Sequence, residues 1–174
     1  DGKSIIKNIL KSGDTYSTIN ACKNFGAEIK DVGNDITVNS TGELKLHSNT
    51  IDAANSGTTI RIATAISTLS SDKIVLTGDS SLKKRPMQPL LDALESLDAK
   101  CSSSNGNPPI SISGKIKGGE VKISGSVSSQ FISALMITAP KLEKGLILNI
   151  QNKLVSKPYI DATIAAMKKF GAEV

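Results

Sequence analysis

Apolar positions along the chain follow two alternating periods. In "SSQFISALMIT" (128–138), Phe131, Ala134, Leu135 and Thr138 stand at i, i+3, i+4 and i+7, the spacing of one helix face. "STINACKNF" (17–25), "LLDALESL" (90–97) and "TIAAMKKF" (163–170) read as helices in the same way. Gly26, Asp98 and Gly171 follow them as stop signals, and the short segment after each stop reads as a strand. Between these runs the period drops to two. "DITVNS" (35–40) with "ELKLHS" (43–48), and "PISISG" (109–114) with "EVKISG" (120–125), predict two hairpins closed by glycine-containing turns.

The pattern repeats. Phe25, Leu97 and Phe170 end equivalent helices 72 and 73 residues apart, with Ile19, Leu91 and Ile164, and Ala21, Ala93 and Ala166, in matching positions. An offset of 73 also carries "NSGTTIRIATAISTLS" (55–70) onto "SSQFISALMITAPKLE" (128–143), and "IVLTG" (74–78) onto "ILNIQ" (147–151). The reading is an α/β chain of βαβαββ units in pseudo-threefold arrangement, present about two and a half times. One domain is expected over 1–174, with units near 1–54, 55–127 and 128–174, the first and last incomplete. Truncated end units and the absence of an initiator Met suggest a piece of something longer. Helices with one apolar face need sheets to cover, so sheets lie outside and helices inside, or the reverse.

Composition narrows the chemistry. Aromatics make up 3% of 174 residues and Trp is absent, so the core must be aliphatic. The net charge of +5 favours an anionic partner, but the longest basic run is Lys83-Lys84-Arg85, and no polybasic tail exists. Two cysteines (Cys22, Cys101) and one histidine (His47) neither frame disulfides nor make a zinc site. His47 reads as a surface position on a strand, the cysteines as buried thiols, and Asp79 and Asp161 as loop-cap or surface acids. No membrane span is expected.

The helix starts are unusual. "AANSGTTIR" gathers Asn55, Ser56, Gly57, Thr58 and Thr59, with Arg61 one turn in. "SVSSQF" gathers Ser128, Ser129 and Gln130; "KKRPM" sets Arg85 ahead of Pro86; "VSKPY" sets Ser156 and Lys157 ahead of Pro158 and Tyr159. Pro at the first helical position needs no N–H, so Pro86 and Pro158 mark helix starts. A helix N-terminus offers free N–H groups and partial positive charge, which suits an anion. Arg61, Arg85 and Lys157 place cations where they are unfavourable by roughly 0.3–1 kcal/mol, a cost an anion would offset. Gly57 opens the backbone to close approach. Each start taken singly is also consistent with ordinary capping; equivalent places in a repeat allow them to converge on one cleft.

"NSGTTIR" (55–61), "LTGDSSLKKRPMQPLLDAL" (76–94), "GSVSSQFISALMITAP" (125–140) and "LVSKPYIDATIAAMKKFG" (154–171) together resemble the 5-enolpyruvylshikimate-3-phosphate synthase family, in the family's order and over nearly the whole length. The resemblance implies an enolpyruvate transferase-like fold of two similar domains, each of three βαβαββ units, with helix N-termini facing an interdomain cleft. It implies a cytoplasmic transferase of the shikimate pathway that moves the enolpyruvyl group of phosphoenolpyruvate onto the 5-hydroxyl of shikimate 3-phosphate, releasing phosphate, without metal or cofactor. It implies that Ser128, Ser129, Gln130, Ser156 and Tyr159 bind shikimate 3-phosphate, and that Asn55, Gly57, Arg85 and Gln130 serve phosphoenolpyruvate. Ala54 departs from the glycine usual there. The family's proton-transferring acids and further phosphoenolpyruvate-binding cations belong to the second domain of the same polypeptide, so no catalytic residue is expected here, and the chain alone should be inactive. A basic nucleic-acid-binding module is the alternative, and the scarcity of aromatic stacking platforms speaks against it.

Overall fold

A computed structural model describes residues 2–174. The elements run β1 (Gly2–Ile6), α1 (Gly13–Asn24), β2 (Glu28–Val32), β3 (Asp35–Ser40), β4 (Thr50–Asp52), α2 (Gly57–Ser67), β5 (Ile74–Thr77), α3 (Gln88–Glu95), β6 (Lys100–Ser104), β7 (Asn107–Ser113), β8 (Gly119–Ser124), α4 (Ser129–Thr138), β9 (Leu146–Gln151) and α5 (Lys157–Lys169). Single 3-10 turns occupy Leu82–Lys84 and Ala139–Lys141.

Three sheets vary one plan. The middle sheet is ordered β4-β5-β7-β6, with β4 and β5 parallel and the other pairs antiparallel. Its last three positions recur as β1-β3-β2, and its parallel pair recurs as β8-β9. In each parallel pair the helix between the strands, α2 or α4, is the crossover that parallel pairing requires.

Both predicted hairpins are absent. "ELKLHS" is not a strand: Lys45 and His47 instead donate their backbone N–H to the carbonyls of Phe25 and Asn24, at the end of α1. "EVKISG" supplies β8, but β8 pairs with β9 rather than with β7, its neighbour in sequence. Alternation marks a half-buried extended segment without naming its partner.

Helices α2 and α4 are the inner ones. Ile60, Ala63 and Ala65 of α2, and Phe131, Ile132, Ala134 and Leu135 of α4, are almost wholly shielded, and they meet Leu76, Ile110 and Ile112 of the middle sheet and Leu90 and Leu94 of α3 in one aliphatic core. Polar residues inside these helices are satisfied locally. Thr64, Ser67 and Thr138 donate to carbonyls four residues back. By contrast α5 fully buries only Ile160.

Helix α3 begins two residues later than Pro86 suggests. Gln88 is its first residue and Pro89 lies in its first turn, while Arg85 closes the preceding 3-10 turn in an extended conformation. Arg85 therefore projects from a loop, not from a helix start.

Candidate functional site

The N-terminal halves of α1, α2, α4 and α5 are linked in series by side-chain hydrogen bonds. Each of α1, α2 and α4 is capped by a serine. Ser12 accepts from the Thr15 N–H, Ser56 from the Thr59 N–H, and Ser128 from the Gln130 N–H, each at 3.2 Å. Neighbouring helices are pinned by hydroxyls and one amide. Thr18 of α1 meets Thr59 of α2 at 2.7 Å, and Ser133 of α4 meets Thr163 of α5 at 2.8 Å. Between α2 and α4, the Gln130 Nε2 donates to Thr58 Oγ1 at 3.0 Å.

The chain has two arginines, and both converge on Gly57. A Cβ added there would lie 2.5 Å from Arg85 Nη1 and 3.4 Å from Arg61 Nη1. The close approach inferred for Gly57 is thus made here by the Arg85 guanidinium. Arg61 donates from Nη1 to Gln130 Oε1, its guanidinium centre stands 5.0 Å from the Phe131 ring centroid, and its Nε is buried without a partner. Burial, and secondarily the positive charge of Arg85, lower the Arg61 pKa. Neither arginine has a carboxylate partner among the described residues. Two converging cations beside the free N–H groups of α2 form a field that favours an anion.

The structure brings Gly57, Arg85 and Gln130 together. Ser128 and Ser129 adjoin Gln130 at the head of α4, with Ser128 as the cap and Ser129 buried in the first turn. Asn55 is exposed ahead of α2, its Oδ1 3.7 Å from where a Gly13 Cβ would be, so it faces the start of α1. Ser156 and Tyr159 head α5, the next helix along, and both are exposed; no direct hydrogen bond ties them to the serine pair among the described residues. Ser156 holds φ 56°, ψ 39°, in the left-handed region, and its side chain does not cap α5.

Lys157 does not face a free anion position: its Nζ lies 2.8 Å from both carboxylate oxygens of Asp161, an exposed i,i+4 pair. Asp79 is the loop cap expected of it, accepting from the N–H groups of Ser81 and Leu82. His47 is exposed, though not on a strand. Burial raises the Cys22 pKa, and burial with the nearby acids Glu95 and Asp92 pushes that of Cys101 up to about 12, so both thiols stay protonated near neutrality. Sequence reasoning missed the start of α1; the run Ser12-Gly13-Asp14 carries its signal, a capping serine followed by an acid in the first turn.

Among the described residues no helix is long and apolar enough to cross a membrane, and no group of three His, Cys, Asp or Glu could hold a metal ion. Concavities of about 550 and 530 Å³ lie one between α4, β9 and α5, the other beside the end of α1, and neither is lined by Gly57, Arg61, Arg85, Ser128, Ser129 or Gln130.

A family model described as EPSP synthase (3-phosphoshikimate 1-carboxyvinyltransferase) matches residues 1–174. The chain is 56% identical over 171 residues to a 3-phosphoshikimate 1-carboxyvinyltransferase of Nitrosopumilus maritimus, covering 98% of this chain and 40% of that protein. It is 49% identical to the enzyme so named in Methanosarcina mazei, covering 99% of this chain and 41% of that one. A solved EPSP synthase from Acinetobacter baumannii superposes with a TM-score of 0.83 at 24% identity, over all of this chain and 39% of the other, which places the fold. The chain spans about two-fifths of the length of these relatives.

Proposed function

The chain belongs to the EPSP synthase family, and from that premise we propose that it forms one wall of a cleft in which an enolpyruvyl group passes from phosphoenolpyruvate to the 5-hydroxyl of shikimate 3-phosphate, with release of phosphate. The observation that carries this reading is the meeting of both arginines at Gly57, next to Gln130 and without a carboxylate partner among the described residues. Both substrates are multiply anionic; the acids near these helix starts, Asp14 and Asp161, lie at the heads of the outer helices α1 and α5, while α2 and α4 have no acid in their first turns. Arg85, the Gly57 backbone and Gln130 hold phosphoenolpyruvate, with Asn55 supporting the loop. Ser128, Ser129, Gln130 and Ser156 hold the phosphate end of shikimate 3-phosphate, and Tyr159 lies along its ring. Hydrogen bonds to an ionised phosphate contribute roughly 1.5–3 kcal/mol each, so a few suffice for useful affinity.

The opposite wall, with the acids that move protons and further cations, comes from the second domain of the same polypeptide, which the chain's two-fifths coverage of its relatives accommodates. The reaction as read uses no metal and no organic cofactor. It takes place in the cytoplasm, within the route to chorismate and aromatic amino acids, and involves no nucleic acid.

The test compares two proteins. The full-length enzyme should release phosphate from the substrate pair, and its Arg85→Gln variant should raise KM for phosphoenolpyruvate about tenfold or more, since ~1.4 kcal/mol is a factor of ten. The 174-residue chain alone should release none. Turnover by the chain alone, or an unchanged KM in the variant, would refute this assignment. Salt-dependent binding of oligonucleotides in place of shikimate 3-phosphate would favour the nucleic-acid reading.

A further inference from the structure

Arg61 and Arg85 meet at one glycine but are built differently. Arg85 is exposed on a loop. Arg61 stands in the first turns of the inner helix α2, with its Nε shielded and its guanidinium against Phe131, and it spends Nη1 on Gln130. We propose that Arg61 is a positioning residue: it sets the orientation of the Gln130 carboxamide so that Gln130 meets the anionic substrates as a donor.

The argument rests on what each group can do. A guanidinium has only donors, so the end of the carboxamide facing Arg61 must be its oxygen. The nitrogen is then turned toward Thr58, whose hydroxyl accepts one of its two N–H groups at 3.0 Å. One N–H of Nε2 remains for a phosphate or carboxylate, which can only accept. Without Arg61 the carboxamide could turn over, since Thr58 can donate to an amide oxygen as well as accept from an amide nitrogen. A flipped Gln130 would face the substrate with its other end fixed, leaving a polar contact unmade at an anion. The Phe131 face and the shielded Nε restrain the guanidinium, so it cannot readily swing out to serve as a second ligand cation. The same bridge joins α2, which carries the proposed phosphoenolpyruvate contacts, to α4, which carries the serines.

This inference rests on the reading of the cleft given above, and a double-mutant cycle in the full-length enzyme separates the two. The proteins are the unsubstituted enzyme, Arg61→Met, Gln130→Ala and the double variant, with Arg61→Lys as the conservative replacement. Met keeps an unbranched side chain over Phe131 but donates nothing; Lys still donates. KM and kcat are measured for both substrates, with thermal unfolding recorded alongside. The expected result is that Arg61→Met weakens substrate binding about as much as Gln130→Ala, on the order of tenfold. Arg61→Lys should recover part of the loss, and the double variant should be no worse than Gln130→Ala alone. Losses that multiply in the double variant would overturn the proposal, because Arg61 would then contact substrate independently of Gln130. So would an Arg61→Met enzyme with unchanged kinetics, or one whose loss only follows a lowered Tm and is not relieved by Lys. If the unsubstituted enzyme binds neither substrate, the assignment of the cleft fails, and the purpose of the bridge with it.

Discussion

Single residues carry the sharpest departures from ordinary backbone. Ala54, just ahead of Asn55, adopts φ 49°, in the left-handed region. The loop around it is fixed on both sides: its N–H donates to Asp52 Oδ1 at 2.8 Å, and its carbonyl accepts from the Asp79 N–H at 2.8 Å. These bonds hold the left-handed turn that delivers Asn55 and the Ser56 cap to α2. An alanine there costs roughly 1–2 kcal/mol relative to a favoured conformation, part of which a glycine returns in the unfolded chain. Ala54→Gly should therefore raise stability by about 1 kcal/mol without moving the loop, which urea unfolding would show as a higher midpoint at constant slope. Lower stability would mean that the turn is not strained as described.

At the scale of elements, the two serines that head α4 separate by role. Ser128 is the cap and bonds the Gln130 N–H; Ser129 is the first helical residue, and its side chain makes no hydrogen bond among the described residues. Ser128→Ala should cost roughly 0.5–2 kcal/mol of stability. Ser129→Ala should leave stability nearly unchanged and weaken shikimate 3-phosphate binding about tenfold. Calorimetric titration of the full-length variants, at a temperature where both are folded, measures the second effect; normal affinity in Ser129→Ala would remove that serine from the phosphate site. The helices themselves were readable from spacing, because period and stop signals are local. The partner of each strand was not. The β8 strand joins β9 across an intervening helix, and "ELKLHS" gives its backbone to the end of α1, choices set by the packing of the whole core. The site was legible in part for the same reason. The polar helix starts at 55–59 and 128–130 announce themselves, whereas the Arg61–Gln130 contact spans 69 residues and depends on how α2 and α4 lie together. Lys157 reads from the sequence as a cation open to an anion, but Asp161, a surface acid at i+4, lies one helical turn away and pairs with it.

Taken whole, the molecule carries the proposed binding groups along the heads of its helices. Stiffness there matters, since hydroxyl pins between α1 and α2 and between α4 and α5 fix the spacing of those heads before any ligand arrives. Tyr159, at the head of α5, has 71% of its surface exposed. The chain has no tryptophan and only one other tyrosine, Tyr16, so ultraviolet emission from the isolated 174-residue protein comes almost entirely from two phenol rings. Tyr159 is thus a built-in optical probe. Saturating shikimate 3-phosphate should change tyrosine emission in a concentration-dependent way, and Tyr159→Phe should abolish the change while Tyr16→Phe preserves it. A signal that persists without Tyr159 would place the ligand elsewhere on the molecule; one that vanishes with it would give the wall a spectroscopic titration requiring neither label nor turnover.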